Sequence, residues 1–224
     1  MPAALPPPAL VYAPPPDTSL DLLHADAALI VAIKPPGLLS VPGRGPQHAD
    51  CLASRVQARF ADALVVHRLD LGTSGIVCFG RGAAAQRELS RQFAARETRK
   101  RYLAVVAGRP AAPSGSIDLP LAADWPNRPR QKVCAATGKP ALTHWRVLGP
   151  APGGSRLELV PVTGRSHQLR VHLMALGHPI LGDELYADAA ALAAAPRLLL
   201  HASGLELAHP VGGQLLAFTS EAGF

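Results

Sequence analysis

Val66-His67-Arg68-Leu69-Asp70-Leu71-Gly72-Thr73-Ser74-Gly75 is the stretch on which the reading of this chain turns. Val65 and Val66 lead into it as a strand, and residues 72–75 have the composition of a tight turn. Asp70 therefore falls where strand gives way to loop. A carboxylate there, beside Arg68 and a glycine-rich turn, has room to face a ligand. Taken alone, an Asp next to Thr-Ser-Gly more commonly closes the turn itself. Its surroundings have to decide.

Upstream, residues 20–24 and 29–33 read as strands joined by a turn near Asp26. Lys34-Pro35-Pro36-Gly37 breaks that pattern and opens a loop running through Pro42-Gly43-Arg44. Leu52, Val56 and Phe60 recur at helical spacing, which predicts a helix over 50–60 with Asp50 as N-cap. Downstream, Leu89 and Phe93 mark a second helix over 83–97, and residues 102–106 a strand stopped by Gly108 and Pro110. A polar loop is expected over 113–138, then a half-buried strand over 156–162. Residues 166–176 read as a helix capped by Ser166 and ended by Gly177. A short Ala-rich helix over 188–195 precedes strands near 198–201 and 214–219. Strands and helices mix without a βαβ rhythm, so the class is α+β. Residues 1–18, rich in proline, are expected to be a disordered tail, and 19–224 a single catalytic domain.

The 224 residues carry 22 Lys plus Arg against 16 Asp plus Glu, a formal +6 that points to an anionic partner. Its distribution says more than its size. Arg81, Arg87, Arg91, Arg96, Arg99, Lys100 and Arg101 lie within one stretch opposed only by Glu88 and Glu97. Arg128, Arg130, Lys132 and Lys139 form a second cluster containing the single acid Asp124. Clustered cations are what a phosphate-tracking surface needs, and Arg adds a planar fork for phosphate or base edges. Ten aromatics, from 5 Phe, 3 Tyr and 2 Trp, are too few for a stacking platform along a single strand. No apolar run reaches the roughly 18 residues that span a membrane, and no secretory leader is legible, which predicts a cytoplasmic protein. Cys51, Cys78 and Cys134 lack Cys-x-x-Cys spacing and read as reduced thiols. Metal, nucleotide and serine-hydrolase motifs are absent.

Taken together, the stretch around Asp70 resembles the signature of the RluA family of RNA pseudouridine synthases. Five further segments are similar to that family, in its order. They are the Lys34-Pro35-Pro36-Gly37 segment, Lys100-Arg101-Tyr102, Gly164-Arg165-Ser166-His167-Gln168-Leu169-Arg170-Val171-His172, Gly177-His178-Pro179-Ile180-Leu181-Gly182-Asp183, and Leu198-Leu199-Leu200-His201-Ala202. Residues 124–134 and the short N-terminus resemble the dual-specificity branch, which lacks an S4 RNA-binding domain. The resemblance implies a pseudouridine synthase fold: a central mixed, mostly antiparallel sheet flanked by helices, with a cleft across it. It implies a monomer that needs no cofactor and modifies structured RNA, namely stem-loops of 23S rRNA and the tRNA anticodon stem-loop. It also implies roles. Asp70 is the sole catalytic carboxylate, Arg165 its cation partner, and Tyr102 stacks on the base or takes the C5 proton. Arg68 fills the space left by a flipped uridine, while Lys34, Arg128, Arg130 and Lys132 grip RNA phosphates. His67 supports the turn, and His172, His178 and His201 pack. Other target uridines, or a non-catalytic RNA-binding assembly factor, are the alternatives. A glycosidase-like hydrolase would need a second acid near Asp70, for which Glu88 and Asp183 are the nominal candidates.

Overall fold

The computed structural model describes residues 12–17 and 19–224. Along the chain run β1 (Leu22–Ala25), β2 (Leu29–Lys34), α1 (Leu52–Arg59), β3 (Ala63–Val65), β4 (Ser74–Arg81), α2 (Gly82–Ala95) and β5 (Arg99–Ala107). There follow β6 (Ser114–Asp118), β7 (Leu121–Ala123), β8 (Gln131–Val133), β9 (Leu142–Ala151), β10 (Gly154–Pro161), α3 (Gln168–Ala175), α4 (Ala189–Ala193), β11 (Leu200–Ala208) and β12 (Leu215–Thr219). Ten strands form one sheet in the order β1-β2-β4-β11-β5-β10-β9-β6, with β3 on β4 and β12 on β11; β7 and β8 make a separate hairpin. Among these pairings only β4 with β11 is parallel. This is the mixed, mostly antiparallel α+β architecture expected.

Both faces of the sheet centre are covered, so its strands are continuous apolar runs rather than alternating ones. Ile30 and Ala32 of β2, with Val77 and Phe79 of β4, pack beneath Leu52 and Val56 of α1. Their neighbours Leu29, Val31, Ile76 and Cys78 point the other way, onto Leu89 of α2 and Leu205 of β11. A third cluster joins Ala104 of β5 and Leu157 of β10 to Leu169 and Leu173 of α3. Gly75, at φ +112, lets β4 and β11 meet: a Cβ there would stand 2.3 Å from the Ala202 carbonyl oxygen.

Several expectations change. The residue capping α1 is Cys51, whose sulfur accepts the Ser54 N–H, while Asp50 instead pairs with Arg55. The helix after Gly164 starts at Gln168 with His167, not Ser166, as its cap residue. Residues 113–138 hold three strands, because short edge strands with polar outer faces carry the composition of loops. β4 went unread for the opposite reason: burial on both faces removes its period-two pattern. Residues 12–17, assigned to a disordered tail, are tied down. The Tyr12 hydroxyl donates to Asp50 O and accepts from Leu39 N–H, and Arg55 reaches the Pro15 and Pro16 carbonyls. The rest of the proposed tail, 1–11 and 18, lies outside the described residues.

Candidate active site

Asp70 hangs between β3 and β4 and lines a cleft of about 750 Å³. That volume lies in the roughly 300–1,000 Å³ range of small-ligand pockets, enough for one nucleotide. Two straps fix its loop. On one side Ser40 Oγ donates to Leu69 O (2.7 Å) and accepts Leu69 N–H (3.0 Å). Next to it, Lys34 is 0% exposed and its Nζ donates to the carbonyls of Pro35, Leu38 and Leu71 at 2.9, 2.7 and 3.0 Å. Burial pushes that ammonium down to about 7 against the pull of Asp70. The expectation that Lys34 grips RNA is therefore overturned: all three of its protons are spent on the chain that carries Asp70. The Lys-Pro-Pro-Gly segment is a brace.

On the other side His67 supports the turn. Its Nε2 accepts the Cys78 N–H (3.1 Å), which requires an unprotonated nitrogen there, and its ring stacks on Phe93 at 4.5 Å. Burial, with Lys100 nearby, pushes its pKa down to about 4. An unfolded His titrates near 6.5, so below that pH the unfolded chain binds a proton that the fold refuses. His67 thus contributes stability that is present above pH 6.5 and lost as pH falls towards 4. Between pH 7 and pH 5 this one group should remove about 2 kcal/mol from the unfolding free energy. Urea melts of wild type and His67→Gln at both pH values check this; equal losses in the two proteins would refute it.

The opposite wall comes from α3 and the segment before it. Arg170, buried, places Nη1 3.3 Å from Asp70 Oδ2, while its Nε and Nη2 donate to both oxygens of Asp183 at 2.8 and 2.6 Å. Burial works against the guanidinium charge, and the hydrogen bonds and charge of Asp183, with Asp70 behind them, more than offset it, so its pKa is raised. The cation beside Asp70 is thus Arg170. Arg165, expected there, turns away: its Nε donates to Pro140 O at 3.1 Å, and it contributes to the cleft wall without touching Asp70. The reason is local. Residues 163–167 precede α3 as a loop, and only Arg170, one turn into the helix, projects beneath the carboxylate.

Asp183 is buried and saturated. Besides Arg170 it accepts the N–H groups of Leu185 and Tyr186 at 2.9 and 3.2 Å. Carrying two strong donors from Arg170, it is no proton donor, and Glu88 lies on the exposed face of α2 paired with Arg91. Neither forms a two-acid hydrolase pair with Asp70. His167, at φ +54, brings its Nε2 within 3.9 Å of Asp70 Oδ1 and its Nδ1 within 2.7 Å of the Tyr186 hydroxyl. Tyr102 of β5 lines the cleft between two core clusters, and burial followed by the Asp70 charge raises its pKa, so it stays a neutral phenol. Arg68 stands exposed at the cleft mouth with no ion-pair partner among the described residues. Arg128, Arg130 and Lys132 are exposed on the β7–β8 hairpin; Arg128 covers the Trp125 ring at 4.5 Å and Lys132 pairs with Asp124 at 3.4 Å. Of the dense basic stretch, Arg81 and Arg91 are neutralised by Asp62, Glu88 and Glu97, whereas Arg96 and Lys100 face the cleft. His172, His178 and His201 each bond to neighbouring protein groups, in packing roles.

Residues 28–175 match the family described as RNA pseudouridylate synthase. The chain belongs to that family. It is 51% identical over 214 residues to the dual-specificity RNA pseudouridine synthase RluA of Escherichia coli K12, covering 95% of this chain and 98% of the relative. A protein of the same name from Pasteurella multocida is 49% identical over the same shares. Among solved structures, Human RNA Pseudouridylate Synthase Domain Containing 1 superposes with a TM-score of 0.76 at 28% identity, over 93% of this chain and 86% of that one. Human RNA Pseudouridylate Synthase Domain Containing 4 follows with 0.71 at 25%, over 90% and 88%. The protein is an RNA pseudouridine synthase, an isomerase with an RNA substrate. No helix among the described residues is long and apolar enough to cross a membrane.

In this pseudouridine synthase, sequence reasoning passed over Arg170, His167 and Tyr186, and weighed Asp183 only as a spare acid. A signal for Arg170 existed. It sits between the apolar Leu169 and Val171 in a helix, and an Arg on a buried face demands a carboxylate partner.

Proposed function

We propose that this synthase isomerises uridine in stem-loops of 23S rRNA and in the tRNA anticodon stem-loop, at uridine 746 and uridine 32, with Asp70 as nucleophile. The observation that carries the reading is a single carboxylate, ion-paired to Arg170 at 3.3 Å, on the wall of a nucleotide-sized cleft. Two targets are taken from the curated relatives, which are named dual-specificity and match over 95% of the chain.

The reaction breaks N1–C1′, turns the uracil and joins C5 to C1′. C5 loses a proton and N1 gains one, so nothing is oxidised or consumed. Asp70 attacks the nucleotide covalently, splitting one hard step into two. Arg170 keeps the carboxylate oriented through a guanidinium already fixed by Asp183. Tyr102, neutral because buried, stacks on the base; a phenol held above its ordinary pKa is poorly suited to taking the C5 proton. A stacked uridine cannot reach Asp70, so it is flipped out at a cost of a few kcal/mol. Arg68 fills the vacated space, and Arg128, Arg130 and Lys132 hold the phosphates. On this reading the enzyme acts as a monomer in the cytoplasm.

The test is pseudouridine mapping of both stem-loop transcripts after incubation with the protein. One new pseudouridine in each is the expected result. Conversion of one alone, or of other uridines, would restrict the target, and conversion of none would leave a non-catalytic RNA-binding factor.

A further inference from the structure

Tyr186 sits where the basic hairpin meets the Asp70 cleft. The guanidiniums of Arg130, from the hairpin, and Arg170, from the cleft, lie over its ring at 5.4 and 5.1 Å. Its hydroxyl oxygen accepts the backbone N–H of Gln131, the first residue of β8, at 2.8 Å. The same oxygen is 2.7 Å from His167 Nδ1. A phenol has one hydrogen to give, and among the described residues His167 is its only acceptor in reach. That hydrogen therefore goes to Nδ1, which leaves the neutral imidazole protonated on Nε2, the nitrogen facing Asp70 Oδ1 at 3.9 Å. Burial, working against the pull of Asp70, keeps the ring neutral by lowering its pKa. His167 reaches this place only by holding φ +54, a backbone conformation uncommon outside glycine and characteristic of functional positions.

We propose that Tyr186 is a positioning residue which, through His167, links the seating of the β7–β8 hairpin on RNA to the orientation of the Asp70 carboxylate. The inference rests on the functional reading above and adds a control to it. At 3.9 Å the His167 N–H lies about 1 Å beyond a hydrogen bond to Asp70. Movement of Gln131 with bound RNA shifts the phenol and imidazole together and closes that gap. The hairpin then does more than bind: it sets the nucleophile.

The experiment measures single-turnover rate at saturating RNA alongside RNA affinity. Tyr186→Phe keeps the ring between its two guanidiniums and deletes only the hydroxyl. The rate should fall roughly ten- to hundredfold, as misplacement of a reacting group does, with affinity within about twofold of wild type. His167→Ala deletes both the N–H that faces Asp70 and the acceptor that Tyr186 addresses. Adding Tyr186→Phe to it should cost less than about twofold more. Gln131→Pro removes the hairpin N–H, at a strand start where proline is tolerated, and should reproduce the rate loss on its own. Loss of affinity in place of rate, additive losses in the double variant, or a Gln131→Pro protein with the wild-type rate would each overturn the proposal. Wild type that converts no uridine would overturn the functional reading as well; wild-type conversion with an indifferent Tyr186→Phe overturns this inference alone.

Discussion

Asp70→Asn should fold, bind RNA and make no pseudouridine. Asparagine has the shape of aspartate and removes only the anion, so the lining of the cleft is kept. Arg170 loses its 3.3 Å partner but stays held at two points by Asp183. The expected change in stability is therefore below about 1 kcal/mol, since the lost ion pair is partly solvated. The chemical step has no substitute nucleophile, because Asp183, on the far side of Arg170, has both oxygens engaged. The rate should drop on the order of 10⁴-fold or more, about 5.5 kcal/mol of barrier. Affinity for RNA should hold or rise slightly, one anion having gone from a site that receives phosphates. Melting temperature, a binding isotherm and pseudouridine mapping on one preparation read all three. Turnover by the folded variant would remove Asp70 from the chemistry.

Arg170→Met is expected to have the largest effect on stability. Asp183 is 1% exposed, and without Arg170 its carboxylate is buried with only two backbone donors. Breaking a buried pair from one side costs about 3–5 kcal/mol, because the remaining charge has neither water nor a counterion. Asp70 loses its cation in the same stroke, so whatever protein remains folded should be at least 10²-fold slower, roughly 2.7 kcal/mol. Arg165→Ala is the internal comparison. That side chain gives up one hydrogen bond to the Pro140 carbonyl, and about 1 kcal/mol or less is expected. Urea melts of both variants decide the matter. A chain that tolerates Arg170→Met and is crippled by Arg165→Ala would return the role to Arg165.

The class of fold, the Asp70 loop and the helices built on Leu52–Val56 and Leu89–Phe93 were legible because local pattern and tertiary burial agree there. Where they diverge, reading by pattern failed. β4 is buried on both faces and carries no alternation, so its strand character lay hidden behind the glycines at its start. Lys34 looked like a surface cation because lysines usually are; only a fold that wraps three carbonyls round it makes it a brace. Arg165 and Arg170 share one motif, and choosing between them required knowing that α3 begins at Gln168 rather than Ser166. A shift of two residues in a helix start rotates every later side chain by about 200°.

The parallel pairing of β4 with β11 bears on how the enzyme comes into being. β11 lies mid-sheet, between the strands that carry the Asp70 loop and the strands that carry Tyr102 and lead to Arg170. It nonetheless follows both in the chain, with only β12 after it among the described strands. Until residues 200–208 have left the ribosome, the two halves of the sheet have no strand to join them, and nucleophile and cation belong to separate pieces. Contacts that distant in sequence slow folding, since the loop between them must close before any pairing rewards it. The pairing of Asp70 with Arg170 thus depends on a central strand that the chain supplies after both of them.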